Sequence, residues 1–505
     1  MSVQISTAQP RGRLRLPQRR GRALAVFAAV LSAVFALAVP AQAAQPGVTQ
    51  ISSDPYTAAN ASRGAHATEV EPDTFAWGST IVSVYQVGRV FNGGATDIGF
   101  STSVNGGVSW MHGFLPGTSQ QAMQPGPFFS VSDASVAYDA RDGVWISSWL
   151  GAHFSGGGVV DVMVSRSTDG GLTWGAPVTV AATGVFYDKN WSACDNSPTS
   201  PFYGHCYTEF DNASAGDLEL MSTSADGGLT WGAPTPTADH IHGLGGQPVV
   251  QPNGRVVVPF EGLSGLSGIR SFSSDDGGAT WNASVRISTR TSHGVPGVRT
   301  SPLPSAEINR DGTVYVVWQD RRFEPGGTAN DIIMSTSTDG ITWSPVIRIP
   351  LDPIGSNIDH FIPGLAVDRT SGGAQTLLGL TYYSEEPSGC VGLACTIQAN
   401  FSSSLDNGQT WSTPQQVSDP MQLGWIAPTT QGAMVGDYIS TSFLAGQQRV
   451  IGAIAVGFPP PSSGQAFNEP MFAALQKVRP GVDAASVDPV QVTAFDDWDG
   501  TVTDD

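Results

Sequence analysis

The chain of 505 residues carries 24 Lys and Arg against 43 Asp and Glu, a formal net charge of −19. Such acidity excludes nucleic acid as a partner, because phosphate binding needs a basic face. It also demands a local basic pocket of any polyanionic ligand. No charged or low-complexity linker breaks the chain, so its length points to one domain assembled from repeats.

The first 43 residues read as a secretory signal peptide. Arg11, Arg13, Arg15, Arg19, Arg20 and Arg22 precede the apolar run from Ala23 to Val39, and Ala41-Gln42-Ala43 supplies a small-residue cleavage site. The run lacks a charged stop-transfer flank, so no membrane segment is expected to be retained. Cleavage leaves 18 basic residues against 43 acidic ones, a net charge of −25, in a protein destined for the extracellular space. Outside the cell the four cysteines fall into two local pairs, Cys194 with Cys206 and Cys390 with Cys395, and read as disulfides. Neither pair has zinc-ligand spacing, and His240 with His242 lacks a third ligand, so no metal is expected.

From residue 44 to 480 the chain reads as one repeat domain. A short strand at Val48 to Ser52 comes first, and a complete repeat begins near Glu71. Six related turns follow: Ser103-Val-Asn-Gly-Gly-Val-Ser-Trp110, Ser167-Thr-Asp-Gly-Gly-Leu-Thr-Trp174, Ser224-Ala-Asp-Gly-Gly-Leu-Thr-Trp231, Ser274-Asp-Asp-Gly-Gly-Ala-Thr-Trp281, Ser337-Thr-Asp-Gly-Ile-Thr-Trp343 and Ser404-Leu-Asp-Asn-Gly-Gln-Thr-Trp411. Their period of 50 to 68 residues suits one four-stranded propeller blade with variable loops. The carboxylate of five turns, replaced by the Asn105 amide in the first, can accept its own backbone amides, Gly supplies positive φ, and Trp plugs the adjoining seam. A group needed six times is structural, so these aspartates are set aside as catalysts.

Alternating segments complete the blades. The fifth repeat reads as Pro304 to Asn309, Thr313 to Trp318, Asp331 to Ser335 and Val346 to Ile349. After the sixth turn, strands at Gly436 to Phe443, Arg449 to Val456 and Pro470 to Leu475 have no box of their own. Pairing them with the Val48 strand would close a ring, giving an all-β propeller of seven blades, with six as the alternative. The acidic tail 481–505 reads as mobile.

Asp boxes in an exported chain resemble the sialidase superfamily. The resemblance implies a retaining exo-glycosidase acting on terminal acidic sugars of extracellular glycans, without a cofactor. It also implies arginines clamping the sugar carboxylate, an Asp acid/base, and a Tyr nucleophile activated by Glu. The Arg-Ile-Pro type triplet that characteristically opens such chains is absent; Gly88-Arg89-Val90-Phe91 does not match it. Candidates therefore come from strand direction, which places them on the rim away from the boxes. For catalysis these are Asp188, Glu261, Asp437 and Tyr438. For substrate binding they are Arg89, Arg299, Arg321, Arg322, Lys189 and Trp191. A propeller that only binds glycan or protein, and a polysaccharide lyase, are the alternative functions.

Overall fold

The computed structural model describes residues 47–481, apart from 92, 156, 264 and 463. The signal-peptide segment and the tail beyond 481 lie outside the described residues. The described chain is all-β but for four 3-10 turns, and its strands pair antiparallel throughout.

The largest sheet consists of two four-stranded runs. The first is Ala65–Trp77, Thr80–Arg89, Ala95–Ser103 and Met111–Phe114; the second is Ser130–Asp139, Val144–Phe154, Gly157–Ser167 and Val178–Ala181. The runs join only where Ala95 meets Val131. Further sheets start at Tyr187–Cys194, at Gly243–Leu244 with Val249–Val250, at Ser305–Ile308 and at Asp359–Val367. The last sheet holds Ser440–Leu444, Arg449–Ala455 and Met471–Lys477, and its outermost strand is Val48–Gln50, with Val48 opposite Ala474. The N-terminal strand thus pairs with the C-terminal three, as the sequence suggested.

First strands pack on one another in succession: Ala65–Trp77 on Ser130–Asp139, that on Tyr187–Cys194, and onward until Ser440–Leu444 packs on Ala65–Trp77. This arrangement is β-propeller-like. Side chains of one first strand accept from the backbone of the next. Asp73 Oδ2 takes the Val136 amide at 2.7 Å, Ser135 Oγ takes Ser192 at 2.9 Å, and Ser305 Oγ takes Leu365 at 3.0 Å. These bonds satisfy backbone groups that neighbouring sheets would otherwise leave unpaired.

The Asp boxes behave as their residue types dictate. Asp169 Oδ1 accepts the Thr173 amide at 2.9 Å and Ser167 Oγ at 2.8 Å, while Thr173 Oγ1 donates to Oδ2 at 2.5 Å. Burial works against the charge, yet the bonds from Thr173, Ser167 and Leu172 pull the Asp169 pKa down to about 2. In the first box Asn105 keeps the scheme: its Oδ1 accepts the Ser109 amide at 2.9 Å and its Nδ2 donates to Ser109 Oγ at 2.8 Å. Each box also binds the preceding sheet. Trp174 packs on Phe100 and Trp281 on Tyr207, with centroids 5.9 and 6.2 Å apart. Trp343 Nε1 donates to Ser271 Oγ at 3.2 Å. Both expected disulfides are formed, and Cys194 and Cys206 stand directly opposite on neighbouring strands.

Candidate functional site

Four first strands are interrupted by a β-bulge. Pairing slips between Val70 and Asp73, Ser132 and Ser135, Asp188 and Asn190, and Phe361 and Gly364. Within or beside the slips Glu71, Asp133, Lys189 and Ile362 have φ of 56°, 49°, 30° and 49°, a left-handed conformation costly for residues with a Cβ. Strain of this kind persists only where its surroundings impose it, and it concentrates at working sites. Three of the four residues are charged.

The first three of these bulges open onto a cavity of about 270 Å³. Glu71, Asp133 and Asp188 reach it from three consecutive first strands, with Arg89 and Arg299 on its wall and Phe91, Phe129, Phe186 and Tyr187 around them. Glu71 is fixed twice: Gln86 Nε2 donates to Oε2, and the Asp437 amide donates to Oε1 at 3.3 Å. Burial, reinforced by the Asp133 and Asp437 charges, holds the Glu71 carboxyl well above its usual range. Burial also raises Asp133, against the pull of the Lys189 ammonium. Asp188 is pushed up to about 7 by burial and then by the charge of Asp133. Acidic groups this close cannot all ionise together, so they titrate as a set.

The arginines are already committed. Arg299 Nε donates to Asp437 Oδ1 at 2.7 Å and Nη2 donates to Oδ2, a bidentate pair. Burial opposes the Arg299 charge, but Asp437 more than offsets it and raises the pKa. Arg89 is 3% exposed; its Nη1 contacts Met434 Sδ at 2.9 Å and its Nη2 donates to the Pro428 carbonyl at 3.1 Å.

A narrower passage lined by Lys189, Trp191, Asp437 and Tyr438 adjoins through the Arg299–Asp437 pair. Lys189 Nζ sits 3.3 Å from the Tyr438 ring centroid and 4.6 Å from that of Trp191, with no hydrogen-bond partner of its own. Trp191 and Tyr438 meet edge to face at 5.1 Å. The aromatic faces therefore hold the cation in place of water.

Of the ten candidates nominated for catalysis and binding, Asp188, Arg89 and Arg299 line the cavity, and Lys189, Trp191, Asp437 and Tyr438 line the passage beside it. The remaining three lie elsewhere. Glu261 pairs with Arg290 at 2.8 Å. Arg322 is bound by Asp320, Ser288 Oγ and the Thr289 carbonyl, and Arg321 lies along Gly327. Of the four nominated arginines two line the cavity, and Asp320 folds Arg322 back onto its own loop. Tyr438 also departs from the implied nucleophile. Its hydroxyl donates to the Ala134 carbonyl at 3.3 Å, and burial followed by the Glu71 charge holds its pKa well above the usual phenol range.

Neither Glu71 nor Asp133 is among the residues nominated from the sequence. The available signal was the acid-rich run Glu69-Val-Glu71-Pro-Asp73 within a first strand, with Glu71 immediately before Pro72. Among the described residues one trio has the donor types for a cation, Asp331, Asp352 and His360. Arg348 bonds both aspartates, so the cation in that cluster is a guanidinium. His242 Nδ1 instead faces the Gly216 carbonyl at 2.6 Å.

Residues 143–379, which include the second to fifth boxes, match the family described as BNR repeat-like domain. No curated protein matches the chain. Among solved structures it is similar to a protein of unknown function from Dyadobacter fermentans, with 16% identity and a TM-score of 0.46 over 86% of this chain and 100% of that one. It is also similar to the Hadza microbial sialidase Hz136, with 18% identity and a TM-score of 0.44 over 66% of each chain. A third likeness is to the NanB sialidase from Streptococcus pneumoniae, with 13% identity and a TM-score of 0.41 over 85% of this chain and 70% of that one. Scores of this size leave the family to the repeats and the domain match. Residues 143–379 thus carry a BNR repeat-like domain, and the six Asp boxes resemble those of the sialidase superfamily.

Proposed function

We propose that the chain is an exported, sialidase-like glycoside hydrolase acting on extracellular glycans, with Asp188 and Asp133 as its reacting pair. The observation that carries this reading is the convergence of Glu71, Asp133 and Asp188, from three consecutive first strands, on one cavity with aromatic walls. Paired carboxyl groups in unlike environments are what glycoside hydrolysis requires.

Asp188, protonated up to about pH 7, donates its proton to the glycosidic oxygen as the bond to the anomeric carbon breaks. Asp133, raised by burial but pulled back by the Lys189 ammonium, is assigned the part of base and takes a proton from the water that adds to that carbon. Glu71 stays neutral and, with Gln86, presents hydrogen-bonding groups to sugar hydroxyls. Water attacks directly, because the Tyr438 hydroxyl is bound to backbone and its pKa is raised. An exo-α-sialidase acting on acidic sugars would need Arg299 to exchange Asp437 for the sugar carboxylate.

The scaffold for this site is a seven-bladed propeller in which Val48–Gln50 completes the last blade. The succession of first-strand contacts and the antiparallel pairing of Val48–Gln50 support that count. Two disulfides suit an oxidising compartment.

The test is to incubate the purified protein with sialosides, uronides and neutral glycosides and to measure released sugar, alongside Asp188→Asn. Release by the wild type, reduced about 10²- to 10⁴-fold in the variant, supports the reading. Glycan binding without release from any of them would make the chain a binding propeller.

A further inference from the structure

The charge and shape of the cavity bear on which sugar it takes, given the hydrolase reading above. A carboxylate ligand is gripped by a guanidinium edge presenting two parallel N–H groups. The Nε–Nη2 edge of Arg299 is spent on Asp437, and both Nη atoms of Arg89 are engaged, leaving Nε alone without a partner. The Lys189 ammonium lines the neighbouring passage, held against the Tyr438 and Trp191 rings.

What the cavity does present is three carboxyl groups, from Glu71, Asp133 and Asp188, and apolar ring faces. Phe91 is 55% exposed at the rim, and Phe129 and Phe186 are half-buried beside it. Sugar C–H faces pack on such rings, and sugar hydroxyls can donate to or accept from carboxyl groups, neutral or ionised. An anionic sugar would instead find one arginine already neutralised by Asp437 and the other held through both of its Nη atoms. The volume of about 270 Å³ is small for a ligand pocket and suits one ring.

We infer that the ring bound in this cavity is a neutral pyranose rather than a sialic or uronic acid. Recognition comes from aromatic stacking on Phe91, Phe129 and Phe186 with hydroxyl contacts to the acids.

Saturation-transfer NMR on the Asp188→Asn protein, with methyl glycosides of galactose, glucose, N-acetylglucosamine, glucuronic acid and sialic acid, reads binding without turnover. The expected result is binding of at least one neutral glycoside about tenfold or more tighter than either acid. Equal or tighter binding of an acid, or no neutral glycoside bound, overturns the inference. A second variant tests the cause. Asp437→Asn in the same background frees the Arg299 edge and is expected to raise affinity for the acids about tenfold relative to the neutral sugars. An unchanged ratio contradicts the role given to that pair. Neutral-sugar binding by a wild type that hydrolyses none of the panel would overturn the hydrolase reading alone.

Discussion

Arg299 and Asp437 lie 138 residues apart in sequence and meet through two parallel bonds, Nε to Oδ1 at 2.7 Å and Nη2 to Oδ2. The pair joins the segment that leads into Ser440–Leu444 to the segment that precedes Ser305–Ile308. Its side chains are 22% and 13% exposed, so breaking it leaves a partly buried charge without its partner. Asp437→Asn is expected to lower unfolding stability by about 2 kcal/mol, less than a fully buried pair would lose. Urea denaturation followed by tryptophan fluorescence measures this; an unchanged midpoint would show that the pair does not hold these two segments together.

Tyr438 separates two mechanisms. Its ring faces Lys189, and its hydroxyl is bound to the Ala134 carbonyl. Tyr438→Phe keeps the ring and removes only the hydroxyl, so hydrolysis is expected to stay within about threefold of wild type, since loss of one neutral hydrogen bond costs about 1 kcal/mol or less. A fall of several orders of magnitude would restore the tyrosine as nucleophile.

The boxes carry stability and not chemistry. Asp226 accepts the Thr230 amide at 2.9 Å and Thr230 Oγ1 at 2.6 Å, with Ser224 Oγ at 2.9 Å. Asp226→Ala is expected to cost about 1–2 kcal/mol through these lost charge-assisted bonds, with turnover per folded molecule unchanged. Thermal unfolding and an assay at matched folded fraction check both halves.

Much of this organisation was legible in the sequence. The boxes announce themselves because Ser, Asp, Gly, Thr and Trp each have a local duty in one turn, so repetition exposes them. The strands of the fifth repeat were readable for a similar reason: Val314–Asp320 alternates or runs apolar between turn residues. The site was less legible. Glu71, Asp133 and Lys189 reach their places through bulges that displace the two-residue period, and no residue pattern marks such a slip in advance. Nor does sequence show that Arg299 is spent on Asp437 or that Arg322 folds back on Asp320. Those are contacts between distant segments or choices among rotamers.

An unusual pH dependence of stability follows from the buried acids. Burial raises Glu69, Glu219 and Glu469 to about 8, and Asp73, Asp97 and Glu307 to about 7. Between the unfolded carboxyl range, about 4, and these values, the native state holds more protons than the unfolded chain. Stability therefore falls as pH rises through that window. The box acids act oppositely: Asp169 and Asp339 drop to about 2, so their contribution is lost only in stronger acid. Melting temperature is expected to be higher at pH 5 than at pH 8; the reverse order would mean that these carboxyls are not held neutral.

Leaving-group dependence tests most directly whether Asp188 is the proton donor to the leaving group. A donor matters when the departing oxygen is basic and little when it is already a good leaving group. The measurement is kcat/KM of wild type and Asp188→Asn on a methyl and a dinitrophenyl glycoside of the same accepted sugar. The predicted result is a loss of about 10²- to 10⁴-fold on the methyl glycoside and less than about tenfold on the dinitrophenyl one, with the wild-type rate on the methyl glycoside falling as pH rises through about 7. Equal losses on both substrates, or none on either, would contradict it.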